Sequence, residues 1–174
     1  GTTNTGSDVY KENDLGSNGW SEVGDAMNWR STNYSWNLEF ENSFIFPFAG
    51  ESWTSVRVST NGFLQFGDIS DVTDFNNSAE AMSEHTRIAP LWDNLRTNLT
   101  GKDIYVDQSV GGEVTIRWDA SLTEDQSDVN VAVTLYSDGQ FAFHYGEGNE
   151  GLTPTIGFSS GNYGYYDLSM YDGM

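Results

Sequence analysis

The alternation of apolar and polar positions is clearest between Phe44 and Phe66. Phe44, Phe46 and Phe48 alternate with Ile45 and Pro47, and Val56 and Val58 with Arg57 and Ser59. Period-two alternation of aromatic and β-branched residues marks strands with one buried face. Asn61-Gly62 separates Val56 and Val58 from Phe63 and Phe66. Both residue types tolerate positive φ, so the pair predicts a tight hairpin. A turn containing Gly50 is predicted to follow the strand that ends at Phe48.

The pattern extends to both sides. Tyr34, Trp36, Leu38 and Phe40 alternate with Ser35, Asn37, Glu39 and Glu41, which predicts a half-exposed antiparallel strand. Arg87 to Trp92 reads as a short apolar strand, and its Pro90 predicts an edge position or a bulge. Ile104 and Val106 form another strand, which Gly111-Gly112 turns back into Val114, Ile116 and Trp118. The longest alternating strand carries Val129, Val131, Val133 and Leu135. Asp138-Gly139 turns it into Phe141, Phe143 and Tyr145. Thr155 to Phe158 is a further strand, and Tyr163 to Tyr171 a last strand and tail.

About ten short strands without helical periodicity predict an all-β chain, an antiparallel, jelly-roll-like β-sandwich with long acidic loops. Val58, Phe63, Ile88, Ile116, Trp118, Val131, Val133, Phe141 and Phe143 are the expected core. Residues 1–174 are read as one domain. Residues 1–33 are its looped N-terminal segment, pinned on the sandwich by Trp20 and Trp29. Two stretches lose the alternation: residues 67–85, where Ser78 to His85 is predicted to hold a turn or two of helix, and residues 119–128. Long loops inside a compact domain are often functional.

Composition sharpens this picture. The 174 residues are 37% hydrophobic and 14% aromatic, enough for a sizeable core. Twenty-six Asp and Glu oppose seven Lys and Arg, a formal charge of −19. That surface repels nucleic-acid phosphates and anionic lipid, so neither is an expected partner. It attracts cations, calcium above all. The competing reading is that acidity provides solubility, in a saline habitat for example. The absence of cysteine removes disulfides, thiolate metal sites and thiol catalysis. No apolar run spans a bilayer and no basic, apolar leader is present, so a mature product or an excised domain is expected. Asn33, Asn76 and Asn98 open glycosylation sequons, matches that a chain rich in Asn, Ser and Thr produces by chance.

Several phrases together carry a family resemblance. They are Phe46-Pro47-Phe48-Ala49-Gly50, Val56 to Phe66, Ile88-Ala89-Pro90-Leu91-Trp92-Asp93, the pair Val133 to Gly139 and Phe143 to Gly146, and Thr155 to Phe158. In this order, over roughly residues 44–158, they resemble the nidogen-like (NIDO) extracellular pattern. The resemblance implies a secreted or cell-surface module, found in animal matrix and adhesion proteins and within long bacterial surface proteins. The pattern includes no catalytic residues. The first forty residues and the loops 68–74 and 119–128 have no counterpart in it.

The residues offer four kinds of chemistry. Asp68, Asp71 and Asp74 recur at intervals of three in a loop, a source of hard oxygens for calcium without EF-hand spacing. Asp119, Asp125 and Asp128, with Glu124, form a second acidic set. Asp93 follows the Trp92 strand, and a calcium would be sought first where Asp93 meets one of these loops. Solvated loop carboxylates are the alternative for all seven. His85 and His144 are the only imidazoles. Neither lies in a metalloprotease motif, and His144 is predicted to point away from the core. No nucleophile elbow supports Ser–His–Asp catalysis, and among twenty-six acids a glycosidase pair is uninformative. Exposed aromatic faces stack on sugars. Trp20, Trp53, Asn162, Tyr163, Tyr165 and Tyr166 are therefore candidate ligand contacts, unless these rings, with Trp29 and Trp36, seal the ends of the sandwich.

Together these readings predict a non-enzymatic extracellular adhesion or binding module of a larger cell-surface or secreted protein, stabilised by calcium. Its expected partner is a glycan or a surface or matrix protein, with no direct membrane insertion. The alternatives are a carbohydrate-binding module, a glycosidase, and a structural subunit that self-associates by strand exchange.

Overall fold

The computed structural model describes residues 10–15, 20–161 and 166–168. The first half of the chain supplies β1 (Tyr10–Asp14), β2 (Asp25–Ala26), β3 (Ser35–Glu39), β4 (Phe46–Phe48), β5 (Glu51–Trp53), β6 (Ser55–Ser59) and β7 (Phe63–Gln65). A short helix α1 (Ala79–Ser83) precedes β8 (Thr86–Trp92) and β9 (Leu95–Arg96). The second half supplies β10 (Asp103–Asp107), β11 (Glu113–Leu122), β12 (Asp128–Tyr136), β13 (Phe141–Tyr145), β14 (Thr155–Ser160) and β15 (Tyr166–Leu168).

The strands form a β-sandwich. One sheet runs β1-β13-β12-β11-β10-β2, with β9 on the far end of β11. The other runs β15-β14-β8-β7-β6-β3, and β4-β5 is a separate ribbon. In the first sheet, consecutive hairpins place Val114, Ile116 and Trp118 opposite Leu135, Val133 and Val131. Side chains that alternate along each strand thus meet across the ladder and face inward together. The core is tied across the sheets by two buried polar links. Trp118 Nε1 donates to the Ser59 carbonyl at 2.8 Å, and the Tyr145 hydroxyl donates to the Pro90 carbonyl.

All nine residues expected in the core are buried. Phe63 is buried elsewhere, however. With Val72, Met82, Ala89 and Trp92 it forms a second apolar cluster separate from the main core. Two of its members come from residues 67–85, so this stretch covers an apolar cluster of its own. The predicted helical turns are present, with Ser78 as N-cap accepting from Ala81 N at 3.0 Å.

Four local features differ from the sequence reading. Residues 10–14 and 25–26 are strands, and β1 pairs parallel with β13, Tyr10 opposite Phe141. Short and polar, they carry no readable alternation. Asp119 to Leu122, expected to open an acidic loop, continue strand β11, and Asp128 begins β12, because their outward carboxylates break the apolar pattern without breaking the ladder. Of the two expectations for Pro90 the bulge holds, since β8 lies between β7 and β14 rather than at an edge. The register of β14 slips between Thr155 and Gly157, opposite Trp92 and Ala89, so the ladder skips the residue that lacks an amide. Tyr34 faces solvent rather than the core, 54% exposed. The Asn61-Gly62 turn is buried, and of the two only Gly62 takes positive φ, +85°. A Cβ on Gly62 would lie 1.8 Å from the Leu91 carbonyl oxygen. Asn61 Oδ1 accepts from Leu95 N at 3.0 Å, and Nδ2 donates to the Thr73 carbonyl at 3.0 Å. This turn therefore holds three segments together.

Candidate functional site

The first acidic loop folds around a buried cation that the chain itself provides. Arg87 on β8 is fully buried. Its guanidinium lies 3.9 Å from the Phe63 ring centre and 4.7 Å from that of Trp92. Nε and Nη2 both donate to Gln65 Oε1, at 3.1 and 2.6 Å, and Nη2 also donates to the Asp71 carbonyl at 3.1 Å. The Gln65 amide in turn donates to the Asp68 and Ser70 carbonyls. The Trp92 indole donates to the Asp74 carbonyl at 2.9 Å. Burial pushes the guanidinium down to about 10, against the opposing pull of Asp74, Asp71, Asp68 and Glu84. The aspartates at intervals of three thus surround one arginine through backbone and field.

At the rim of this loop, His85 Nε2 lies 3.0 Å from Asp71 Oδ2, and Nδ1 lies 3.7 Å from Asp68 Oδ1. Asp71, Glu84 and His85 are the one group of three such side chains, among the described residues, whose ligating atoms all lie within 4.8 Å of one another. Asp74 stays outside that group, its Oδ1 accepting from Asn76 N at 2.9 Å. Sequence reading weighed His85 against a metalloprotease motif and passed over Glu84, because no spacing rule links either to an aspartate thirteen or fourteen residues upstream.

The other expected metal ligands are engaged separately. Lys102 Nζ donates to Asp119 Oδ1 at 3.1 Å and to Asp128 Oδ1 at 2.9 Å. Burial lowers the lysine's pKa, but the hydrogen bonds to Asp128 and Asp119 outweigh it and hold the pKa above the ordinary value. Asp125 accepts from Ser127 N within its own turn. Asp93 is buried and does not meet the acidic loops. Its Oδ1 accepts from Asn94 N at 2.8 Å and its Oδ2 from Thr153 N at 3.1 Å, which pins the loop before β14. Asp103, unremarked in the sequence, does the same for the N-terminal segment by accepting from Trp29 N and Ile104 N.

Of the aromatic candidates, Trp53 is half-buried against Phe66 and donates to the Phe48 carbonyl. Trp20 packs over Gly146, where a Cβ would lie 2.9 Å from its ring. Asn162, Tyr163 and Tyr165 lie outside the described residues, and Tyr166 is described only as the first residue of β15. As half-buried rings, Trp29 and Trp36 pack against the main core, with the exposed Tyr34 beside them. Trp29 and Trp36 stack at 5.4 Å and 3°, and Tyr34 meets Trp36 edge-on at 5.0 Å. His144 lies on the sheet face opposite Phe143, as expected, yet it is partly buried there between Thr134 Oγ1 and Asn13 Nδ2, each at 3.2 Å.

Two adjoining hollows open beside β10, with volumes of about 500 and 290 Å³. They share Glu41, Asn42 and Gln108. Val23 flanks the larger, and Ile45 and Val110 the smaller.

The fold and these surfaces define an antiparallel-rich β-sandwich in which Asp93, Asp103 and Asp125 bind the backbone of its own loops. The sequence matches the NIDO-related family over residues 16–172, and the chain belongs to that family. No curated protein and no solved structure matches it. No helix among the described residues is long and apolar enough to cross a membrane.

Proposed function

We propose that this chain is a non-enzymatic extracellular binding module that engages a protein partner as part of a larger cell-surface or secreted protein. The observation that carries this reading is the composition of the paired hollows. Val23, Ile45 and Val110, three of the six large apolar side chains that stand exposed among the described residues, line them. Exposed apolar side chains set among polar groups are a feature of protein interaction sites. Asp25, Glu41, Asp107 and Glu113 also line the hollows, and no Lys or Arg does. An extended segment carrying apolar and basic residues complements that lining. Family membership supports the extracellular setting.

The test is equilibrium binding of two extended peptides, one alternating Val with Lys and one alternating Val with Glu, at physiological salt. The Lys peptide is expected to bind, and an Ile45→Ser, Val110→Ser double variant to weaken it at least tenfold. Both side chains are exposed, so the variant keeps its fold. Equal binding of the two peptides, or an unchanged Kd in the variant, would overturn the reading.

Tyr34, 54% exposed beside the half-buried Trp36 and Trp29, supports a second reading, a carbohydrate-binding module, since an exposed ring face stacks on a sugar. A glycan-array signal lost in Tyr34→Ala and kept in the double variant would favour it.

A further inference from the structure

We propose that Asp71, Glu84 and His85 form a site for a first-row transition-metal ion of the zinc or manganese type, with Asp68 supporting the imidazole from behind. This site is independent of the partner surface beside β10. The three side chains already converge, with all ligating atoms within 4.8 Å of one another. Asp71 Oδ2 and His85 Nε2 lie 3.0 Å apart. Two ligands on one ion with bonds of about 2.1 Å sit about 3.4 Å apart in tetrahedral geometry, so this pair needs only a slight opening.

The second observation concerns the other ring nitrogen. His85 is 8% exposed, and its buried Nδ1 has no hydrogen-bond partner. The atom facing it is Asp68 Oδ1, at 3.7 Å. In a neutral imidazole one nitrogen carries the proton and the other a lone pair. If Nε2 donates to Asp71, the lone pair on Nδ1 faces a carboxylate. If Nε2 ligates a metal, the proton moves to Nδ1 and points at Asp68. Metal-bound histidines characteristically donate their second N–H to a carboxylate in this way. A metal on Nε2 would turn the 3.7 Å approach of Nδ1 to Asp68 Oδ1 into such a donation, the role that a second proton on the ring would otherwise fill.

Charge points the same way. Asp68, Asp71, Asp74 and Glu84 all act on Arg87, four carboxylates around one guanidinium, so the field at the loop is negative. A divalent ion is attracted by that field. The donor set selects the ion. Calcium takes six to eight oxygens, whereas an imidazole with two carboxylates suits zinc, manganese or iron.

The test uses the whole chain, stripped with EDTA and desalted. Melting temperature is measured with zinc, manganese, calcium or magnesium at matched ionic strength. In parallel, the ring nitrogens are followed by ¹⁵N NMR. The chain has two histidines, so a His144→Gln variant assigns both. Zinc is expected to raise the melting temperature beyond the magnesium control and to shift the His85 Nε2 resonance. Asp71→Asn and Glu84→Gln, both at exposed positions, should each weaken zinc at least tenfold, and Asp68→Asn about tenfold. The proposal fails if zinc acts no differently from magnesium, if its effect survives Asp71→Asn and Glu84→Gln, or if only the His144 resonances move. Any of those results would leave an ordinary Asp71–His85 ion pair.

Discussion

Replacing Asn61 by Ala removes a side chain that no other residue can substitute. It leaves the Leu95 amide and the Thr73 carbonyl without the partners they have at 3.0 Å each. Asn33, the third contact at 3.4 Å, is exposed and returns to water. The Leu95 amide is buried, and a buried donor left unpaired costs about 1–3 kcal/mol; the Thr73 carbonyl is part-buried and adds about 1 kcal/mol, so about 2–4 kcal/mol is expected. For a chain of this size each kcal/mol moves the melting temperature by roughly 2–4 °C, so a fall of about 6–12 °C is expected for about 3 kcal/mol. Asn61→Asp separates the two roles. It can still accept from Leu95 but sets a carboxylate against the Thr73 carbonyl. It should therefore be at least as unstable as the Ala variant at neutral pH and recover in part in acid, once protonated. Urea unfolding at pH 7.5 and 4.5 measures both. A loss below 1 kcal/mol for Ala, or an Asp variant as stable as the parent, would refute the view that this turn is a structural hub.

Three further outcomes follow from the same geometry. Arg87→Lys loses the paired donation to Gln65 Oε1 and the flat contact with Phe63. It should cost about 1–3 kcal/mol and speed hydrogen exchange in residues 67–85. Burial holds the His144 pKa below 6.5, so the unfolded chain takes up this proton first. That residue's contribution is therefore complete above pH 6.5 and is lost as pH falls towards the lowered value, and His144→Gln should flatten stability across that window in denaturant titrations. Lys102→Met leaves Asp119 and Asp128 facing each other without a cation. Its stability should rise with salt, and its melting temperature should respond to millimolar calcium more than the parent's does.

The sandwich was legible in the sequence wherever one face of a strand is buried and the other is wet, as in Val114 to Trp118 and Val129 to Leu135. It was less legible where burial comes from both sides. Phe63 alternates like a core residue, yet the sequence does not show that a loop with Val72 and Met82 will cover it. Asn61-Gly62 has the composition of an exposed turn, and only the approach of the Leu91 backbone reveals why both residues are buried. The acidic aspartates were found by spacing. What the spacing could not show was their common centre, since Arg87 lies thirteen residues or more away in an apolar strand. His85 joined Asp71 only through the fold, because α1 brings the end of the loop back to its start.

The parallel pairing of β1 with β13 bears on the order in which the chain assembles. Asn13 meets His144 across 131 positions of sequence. The hairpins from β10 to β13 close over short loops and can form as soon as they are made, whereas β1 has no sheet to join until β13 exists. During synthesis β1 emerges before the rest of its sheet and is thus among the last of these strands to find its neighbour. Until then the outer side of β13 presents an open row of amides and carbonyls to any other extended segment, including the same strand of a neighbouring nascent copy.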